Sequence, residues 1–250
     1  MNTLVLVHGS WHGAWCWNKV VPQLQQADHM AIAVDLPGHG DDKTSISEIS
    51  LQSYADRVCR VLDAQSEPVI LVGHSMGGTV ITQAAEYCPD KIKALIYLCA
   101  FVPRNGESHL QLAMQDKDSS VGQNLIMAED KSYCTTREKA IKDARYGDCS
   151  DEDVTRAKSL LCPDPMIPLV TPVDITAVNY GRIPRVYIEC LRDRALTPPF
   201  QKQMYGTQPF RRIISMNTSH SPFFSAPKEL AGYLTINVEQ ASATRGRAKS

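Results

Sequence analysis

Val69-Ile70-Leu71-Val72-Gly73-His74-Ser75-Met76-Gly77-Gly78-Thr79-Val80 is the stretch that decides the fold. The apolar residues at its head read as a buried strand, and Thr79–Tyr87 reads as a helix. Between them stands a G-x-S-x-G pattern, Gly73-His74-Ser75-Met76-Gly77. A serine on so sharp a strand-to-helix turn projects its hydroxyl off the end of a sheet. The positions two before and two after it have no room for a side chain, and glycine fills both. The following helix presents unpaired N–H groups and its positive dipole end where an oxyanion would form. A plain Gly-rich connector would not need this flanking strand and helix. A phosphate-cradling loop would show G-x-x-x-x-G-K-[ST] or G-x-G-x-x-G, and neither occurs.

Outward from this turn the same rhythm repeats. Upstream lie a strand at Thr3–Val7, a Gly-containing loop from His8 to Trp15, a helix over Trp17–Ala27, a strand at Met30–Val34 and a turn cluster, Asp35-Leu36-Pro37-Gly38-His39-Gly40. Leu51–Ala64 is an amphipathic helix with Leu51, Tyr54, Val58, Val61 and Leu62 on one face. Downstream comes a strand at Ile92–Leu98. Short, uninterrupted apolar strands alternating with helices specify a parallel sheet covered on both faces. The rhythm breaks after Ala100-Phe101-Val102-Pro103 and resumes with a strand at Arg185–Cys190, a helix from Pro198 to Tyr205, a strand at Arg211–Met216 and a closing helix over Ala226–Val238. Residues 103–179 are polar, charged and helix-leaning, with no clear strand. So long a segment inside a repeating fold is expected to be an inserted helical cap over the serine. The expected fold class is α/β, a mostly parallel sheet of about six strands flanked by helices. Residues 1–102 and 180–250 form the core and 103–179 the cap.

A serine hydroxyl is a poor nucleophile at neutral pH; it needs a base in reach, and the base needs an orienting carboxylate. For a serine on such a turn the partners follow in the order acid, then histidine, on loops after later strands. Asp193 and His220 occupy those loops. We expect Ser75 as nucleophile, His220 as general base then acid, and Asp193 as the group holding the imidazole tautomer. Asp174 and Glu189 are the nearby alternatives, but one ends the cap and the other lies within a strand. The backbone N–H groups of Ser10 and Met76 are the expected oxyanion donors. Gly9, Trp11 and His12, beside the serine, are candidates for substrate contact, with Trp15 and Trp17 assigned to core packing. His74 and His39 are expected to be structural, and His8 to brace its loop or touch substrate. His8 and His12 are four apart but on a Gly-rich loop, and no H-E-x-x-H occurs, so no metal and no cofactor is expected.

The 250 residues carry a net charge of −1, with 43% hydrophobic and 21% charged residues. That balance gives no pull towards nucleic acid or an acidic membrane. The one basic cluster, Arg245-Gly246-Arg247-Ala248-Lys249, reads as a solvated tail. No secretory leader and no apolar run long enough to span a bilayer is read, so a cytoplasmic location is expected. The 8 cysteines, none in C-x-x-C, are then expected to be buried free thiols. A homodimer is entertained, although the sequence does not fix the assembly.

These motifs together, His8-Gly9-Ser10-Trp11-His12-Gly13-Ala14-Trp15-Cys16-Trp17, Asp35–Gly40, Gly73–Gly78 and the Asp193 and His220 loops, resemble the α/β-hydrolase superfamily. More narrowly, the chain is similar to the methylesterase and hydroxynitrile lyase group, which includes plant methylesterases and bacterial pyrethroid-type carboxylesterases. The resemblance implies an α/β-hydrolase fold and hydrolysis of a small, apolar, often aromatic ester through an acyl-enzyme. Lyases of the group carry threonine where this chain has Gly9, and lysine where it has Ser221; both departures favour ester hydrolysis. A cyanohydrin lyase and a small-molecule receptor on a retired hydrolase fold are the alternatives.

Overall fold

The computed structural model describes residues 1–235. The main sheet contains β1 (Thr3–Val7), β2 (Met30–Val34), β3 (Val69–His74) and β4 (Ile92–Leu98). An inserted segment then carries the short strands β5 (Leu125–Met127), β6 (Tyr133–Thr136) and β7 (Asp164–Pro165), before β8 (Arg185–Cys190) and β9 (Arg212–Met216) complete the main sheet. Its order is β2-β1-β3-β4-β8-β9, and every neighbouring pair is parallel. The helices in chain order are α1 (Val20–Gln26), α2 (Leu51–Asp63), α3 (Gly77–Tyr87), α4 (His109–Ala113), α5 (Glu138–Arg145), α6 (Asp151–Leu160), α7 (Met166–Val170), α8 (Pro198–Gly206), α9 (Pro222–Ser225) and α10 (Pro227–Leu234).

The central strands β1 and β3 lack polar alternation because both of their faces are buried, whereas the edge strands β2 and β9 are partly exposed. Leu4, Leu6, Ile70 and Val72 join Val20, Leu24, Leu230 and Leu234 in one cluster, under α1 and α10. Their neighbours Val5, Val7 and Leu71 point the other way, into a second cluster with Tyr54, Val58, Val80 and Ile81 of α2 and α3. Each such side chain contributes about 1.5–3 kcal/mol by leaving water. The start of α2 is fixed by a capping box in which Ser50 and Ser53 satisfy each other's backbone N–H.

β1 pairs with β2 on one side and with β3 on the other. The chain therefore reverses its direction of travel across the sheet there. The crevice at the carboxyl ends of β1 and β3 is where open α/β sheets take their ligands. The β1 loop with Ser10 and the β3–α3 turn with Ser75 both open onto it.

The inserted segment is not purely helical. β5, β6 and β7 form an antiparallel sheet, and an isolated bridge from Ser108 to Pro172 closes the segment's base. The expectation that no strand occurs here fails because these strands are only two to four residues long: β5 is an apolar but largely exposed triplet, Leu125-Ile126-Met127, and β6 and β7 are mostly polar or contain proline. None is long enough to show a periodic pattern.

Three smaller expectations also change. The helix expected at Trp17–Ala27 is a 3-10 turn at Ala14–Trp17 followed by α1, where Pro22 sits in the first turn and no backbone donor is needed. The closing helix breaks at Ala226 into α9 and α10; its expected end at Val238 and the basic cluster at 245–249 lie outside the described residues. Finally, Cys59 of α2 and Cys88, just beyond α3, form a disulfide with Cα atoms 6.1 Å apart, while Cys16, Cys99, Cys134, Cys149, Cys162 and Cys190 are free. The two helices lie side by side and join cysteines 29 positions apart, a separation that carries no sequence signal.

Candidate active site

Ser75 has a backbone φ of +53°, a left-handed conformation that costs a non-glycine residue energy. The surrounding backbone holds it there. Its N–H donates to Leu98 O at 3.2 Å, and its carbonyl accepts from Gly78 N at 3.0 Å and Phe101 N at 3.1 Å. The flanking glycines are required sterically: a Cβ at Gly73 would lie 2.6 Å from Gly77 O, and one at Gly77 would lie 2.6 Å from His8 O.

Asp193, in the loop after β8, and His220, in the loop after β9, are both buried. His220 Nδ1 lies 2.7 Å from Asp193 Oδ2. The other carboxylate oxygen, Oδ1, accepts from the backbone N–H groups of Ala195 at 2.8 Å and Leu196 at 2.9 Å. Gln201 Nε2 approaches Oδ2 at 3.3 Å. The aspartate is therefore anchored on both oxygens, and Arg192 and Arg194 pair instead with Asp148 and Asp143. The ring of His220 lines the same cavity as Ser75. No hydrogen bond joins the Ser75 hydroxyl to that ring here; in ligand-free sites such bonds are often long and tighten with substrate.

Among the described residues, neither the Ser10 nor the Met76 backbone N–H donates a hydrogen bond. Met76 caps α3, so its N–H belongs to a helix N-terminus. Ser10 lies on the loop held from behind by His12, whose Nδ1 donates to Ser10 O at 2.7 Å. His12 Nε2 then accepts from Tyr146 Oη at 2.7 Å. His12 lines the cavity with both ring nitrogens engaged by the protein, so it braces the loop. His8 does the same further back, donating to Gly9 O at 2.8 Å and accepting from Leu36 N at 3.2 Å.

The candidate substrate contacts separate. Trp11 lines the cavity and donates from Nε1 to Cys134 O of β6 at 3.0 Å. Trp15 and Trp17 lie instead beside Phe224 and Phe223. Gly9 is behind the serine, not on the cavity wall: a Cβ there would lie 2.7 Å from Ser75 Cβ and 2.9 Å from His74 Nδ1. Its role is to leave room for the Ser75 side chain. Gly9→Ala is expected to lower kcat about 100-fold by displacing Ser75, with less effect on KM. Steady-state kinetics on a small ester check this; an unchanged kcat would contradict it.

His74 donates from Nε2 to the carbonyl of His220 at 2.9 Å and supports it from below. Cys99 Sγ approaches the same carbonyl at 3.5 Å. Ligand-type atoms of His74, Cys99 and His220 come within 4.8 Å of one another, but these bonds and the Asp193 contact already engage them. The trio is a support for the His220 loop rather than a cage.

Several residues near the site carry no sequence signal. His39 Nε2 meets Asp164 Oδ1 at 3.1 Å, a fully buried pair joining the turn after β2 to the inserted segment. Burial opposes the charge on His39, but Asp164 prevails and raises its pKa. Asp116 accepts from Thr197 N and Oγ1, each at 2.8 Å, tying α4's end to the Asp193 loop. Arg145 and His109, both buried, line the cavity. Its volume is about 340 Å³, and Phe101, Leu110, Leu125, Met166, Leu169 and Leu196 give it an apolar wall. That size suits a small acyl group.

Burial also sets the acid response. It is the main cause that lowers His8 and His74 well below the usual histidine range, His12 to about 3 and His109 to about 4. A histidine neutral in the fold but protonated when unfolded makes the unfolded chain bind more protons, so stability falls as pH drops below about 6.5. His39, raised by Asp164, works in the opposite direction. The melting temperature should fall by on the order of 10 °C between pH 7 and pH 5.5, above the range where most carboxylates titrate. A flat melting temperature across that interval would contradict it.

A family model described as "Alpha/beta hydrolase family" matches residues 4–232. Methylesterase 1 of Arabidopsis thaliana is 33% identical over 245 residues, covering 92% of this chain and 93% of the relative. Methyl jasmonate esterase 1 of Vitis vinifera is 30% identical over 253 residues, covering 95% and 97%. Putative methylesterase 11, chloroplastic, of A. thaliana is 31% identical over 245 residues, and this chain spans 62% of its length. Among solved structures, a pyrethroid hydrolase from Sphingobium faniae JZ-2 superposes with TM-score 0.86 at 26% identity, covering 97% of this chain and 98% of that one. Polyneuridine aldehyde esterase gives TM-score 0.86 at 26% identity, covering 94% and 98%.

Proposed function

This chain belongs to the alpha/beta hydrolase family, and we propose that within it the chain is a serine carboxylesterase acting on small, apolar or aromatic esters, methyl esters among them. The observation that carries the mechanism is the buried His220–Asp193 pair facing the same cavity as Ser75 on its left-handed turn. The methylesterase and esterase relatives support the reaction class.

In this mechanism the Ser75 hydroxyl attacks the ester carbonyl while His220 Nε2 takes its proton. Asp193 keeps the other ring proton on Nδ1 and stabilises the imidazolium. The carbonyl oxygen, now negative, accepts from the N–H groups of Ser10 and Met76; each such donor contributes about 3–4 kcal/mol to the transition state. Collapse breaks the bond to the alcohol oxygen, and His220 delivers the proton to it. Water then enters, His220 removes its proton, and the same steps release the acid and restore Ser75. The cavity sets a small acyl group, and the apolar walls exclude bulk water from the oxyanion.

The group's lyase chemistry calls for a lysine after the histidine. Here Ser221 is buried and its hydroxyl has no hydrogen-bond partner. We propose a cytoplasmic location for the enzyme. Turnover of a panel of methyl, ethyl and p-nitrophenyl esters of short and aromatic acids tests the reading, with mandelonitrile cleavage as the control. Methyl esters should be hydrolysed and mandelonitrile left intact; cyanide release with no ester turnover would overturn it.

A further inference from the structure

Arg145 ends α5 of the cap and is only 2% exposed. Its guanidinium lies 4.0 Å from the centre of the Trp11 ring, and both residues line the cavity that holds Ser75 and His220. One of its nitrogens donates to Thr136 Oγ1. Among the described residues no carboxylate forms an ion pair with it. The contrast with the surface is sharp: Arg192 pairs with Asp148, Arg194 with Asp143, Lys142 with Asp151, and Lys19 with Asp153. Those four exposed cations have anions; among the described residues Arg145, like the buried Arg185, has none.

A buried charge without a partner is costly, and natural folds keep one where a ligand completes it. The face of Trp11 offers a cation–π contact, weaker than a carboxylate at the same depth. Asp164 acts on Arg145 through space; its Oδ1 is bound to His39, and its buried Oδ2 has no hydrogen-bond partner and forms no ion pair with Arg145. Burial lowers Arg145 to about 10, so it remains charged at neutral pH. His12 and His109 in the same cavity stay neutral. The cavity therefore has an apolar wall, a reaction centre at one place and a single desolvated cation at another.

We propose that Arg145 receives a second, free carboxylate on the acyl part of the substrate, so that the preferred esters are monoesters of dicarboxylic acids. This rests on the ester-hydrolase reading above. A guanidinium fork matches a carboxylate with two parallel hydrogen bonds, and the surrounding low dielectric strengthens the contact. The free carboxylate would orient the ester carbonyl towards Ser75, and a chain of one length would span the two points best.

The test compares initial kcat/KM for monomethyl and dimethyl esters of glutaric, adipic and suberic acids. The intact enzyme should favour the monomethyl ester at least tenfold at one chain length, and Arg145→Gln should bring that ratio to one or below, chiefly through KM. Equal or better turnover of the dimethyl ester at every length in the intact enzyme would overturn the proposal, whether or not the variant folds. Tryptophan fluorescence of Ser75→Ala gives a readout without chemistry, because Trp11 lies against Arg145. Monomethyl adipate should quench it at concentrations at least tenfold lower than dimethyl adipate does. If neither ester is hydrolysed by an enzyme that turns over p-nitrophenyl butyrate, this proposal fails and the hydrolase reading stands; if no ester of any kind is hydrolysed, the hydrolase reading fails and the binding comparison still decides the role of Arg145.

Discussion

Ser75→Ala is expected to lower kcat on p-nitrophenyl butyrate by about four to six orders of magnitude, leaving KM within a few-fold. The hydroxyl is the only group proposed to form the acyl-enzyme, and alanine at 75 leaves no nucleophile on the turn. The backbone should persist, because the bonds that hold the turn run from the main chain of residue 75 to Leu98, Gly78 and Phe101. Residual turnover would come from the Ser10 and Met76 donors acting on a water-borne attack. The measurement is a burst and steady-state assay of the purified variant beside a circular-dichroism melt. Activity within tenfold of the intact enzyme, with the fold preserved, would remove Ser75 from the mechanism.

Asp193→Asn is expected to cost about 10,000-fold in kcat, through the tautomer of His220 rather than through packing. Asp193 Oδ1 accepts two backbone N–H groups, from Ala195 and Leu196. An asparagine must keep its carbonyl oxygen on that side, which turns its NH2 towards His220 Nδ1. Nδ1 then accepts, the ring proton moves to Nε2, and the nitrogen facing Ser75 can no longer take a proton. Raising pH does not restore the missing acceptor, so the loss should persist from pH 7 to pH 9. Recovery of activity at high pH would point to a purely electrostatic role for Asp193.

How far the sequence alone carries follows from what each element is made of. The central strands β1 and β3 and the serine turn are legible because parallel strands buried on two faces are written as uninterrupted apolar runs, and because only glycine fits at 73 and 77; β4, β8 and β9, interrupted by charged or polar residues, are placed by the repeating rhythm around them. The positions of Asp193 and His220 follow from chain order once the strands are placed. The inserted segment between β4 and β8 resists the same approach. β6 is Tyr133-Cys134-Thr135-Thr136, half exposed and without a pattern. Arg145 sits at the end of a charged helix, where an arginine ordinarily faces water, and only the meeting of α5 with the Trp11 loop buries it. The Cys59–Cys88 bond and the His39–Asp164 pair are likewise products of tertiary approach, across 29 and 125 positions. Sequence points to Gly9 as a substrate contact because its loop flanks the serine; its actual constraint, the space taken by Ser75 Cβ, needs three dimensions.

Labelling with a fluorophosphonate ester tests the central claim most directly, since such reagents phosphonylate a serine only when a base and an oxyanion site serve it. Intact-mass analysis and peptide mapping should find one adduct, on the peptide that carries Ser75, with hydrolysis of p-nitrophenyl butyrate lost in proportion and no adduct formed by His220→Ala. Full ester turnover with no adduct, or an adduct on another residue that tracks the loss of activity, would contradict the account.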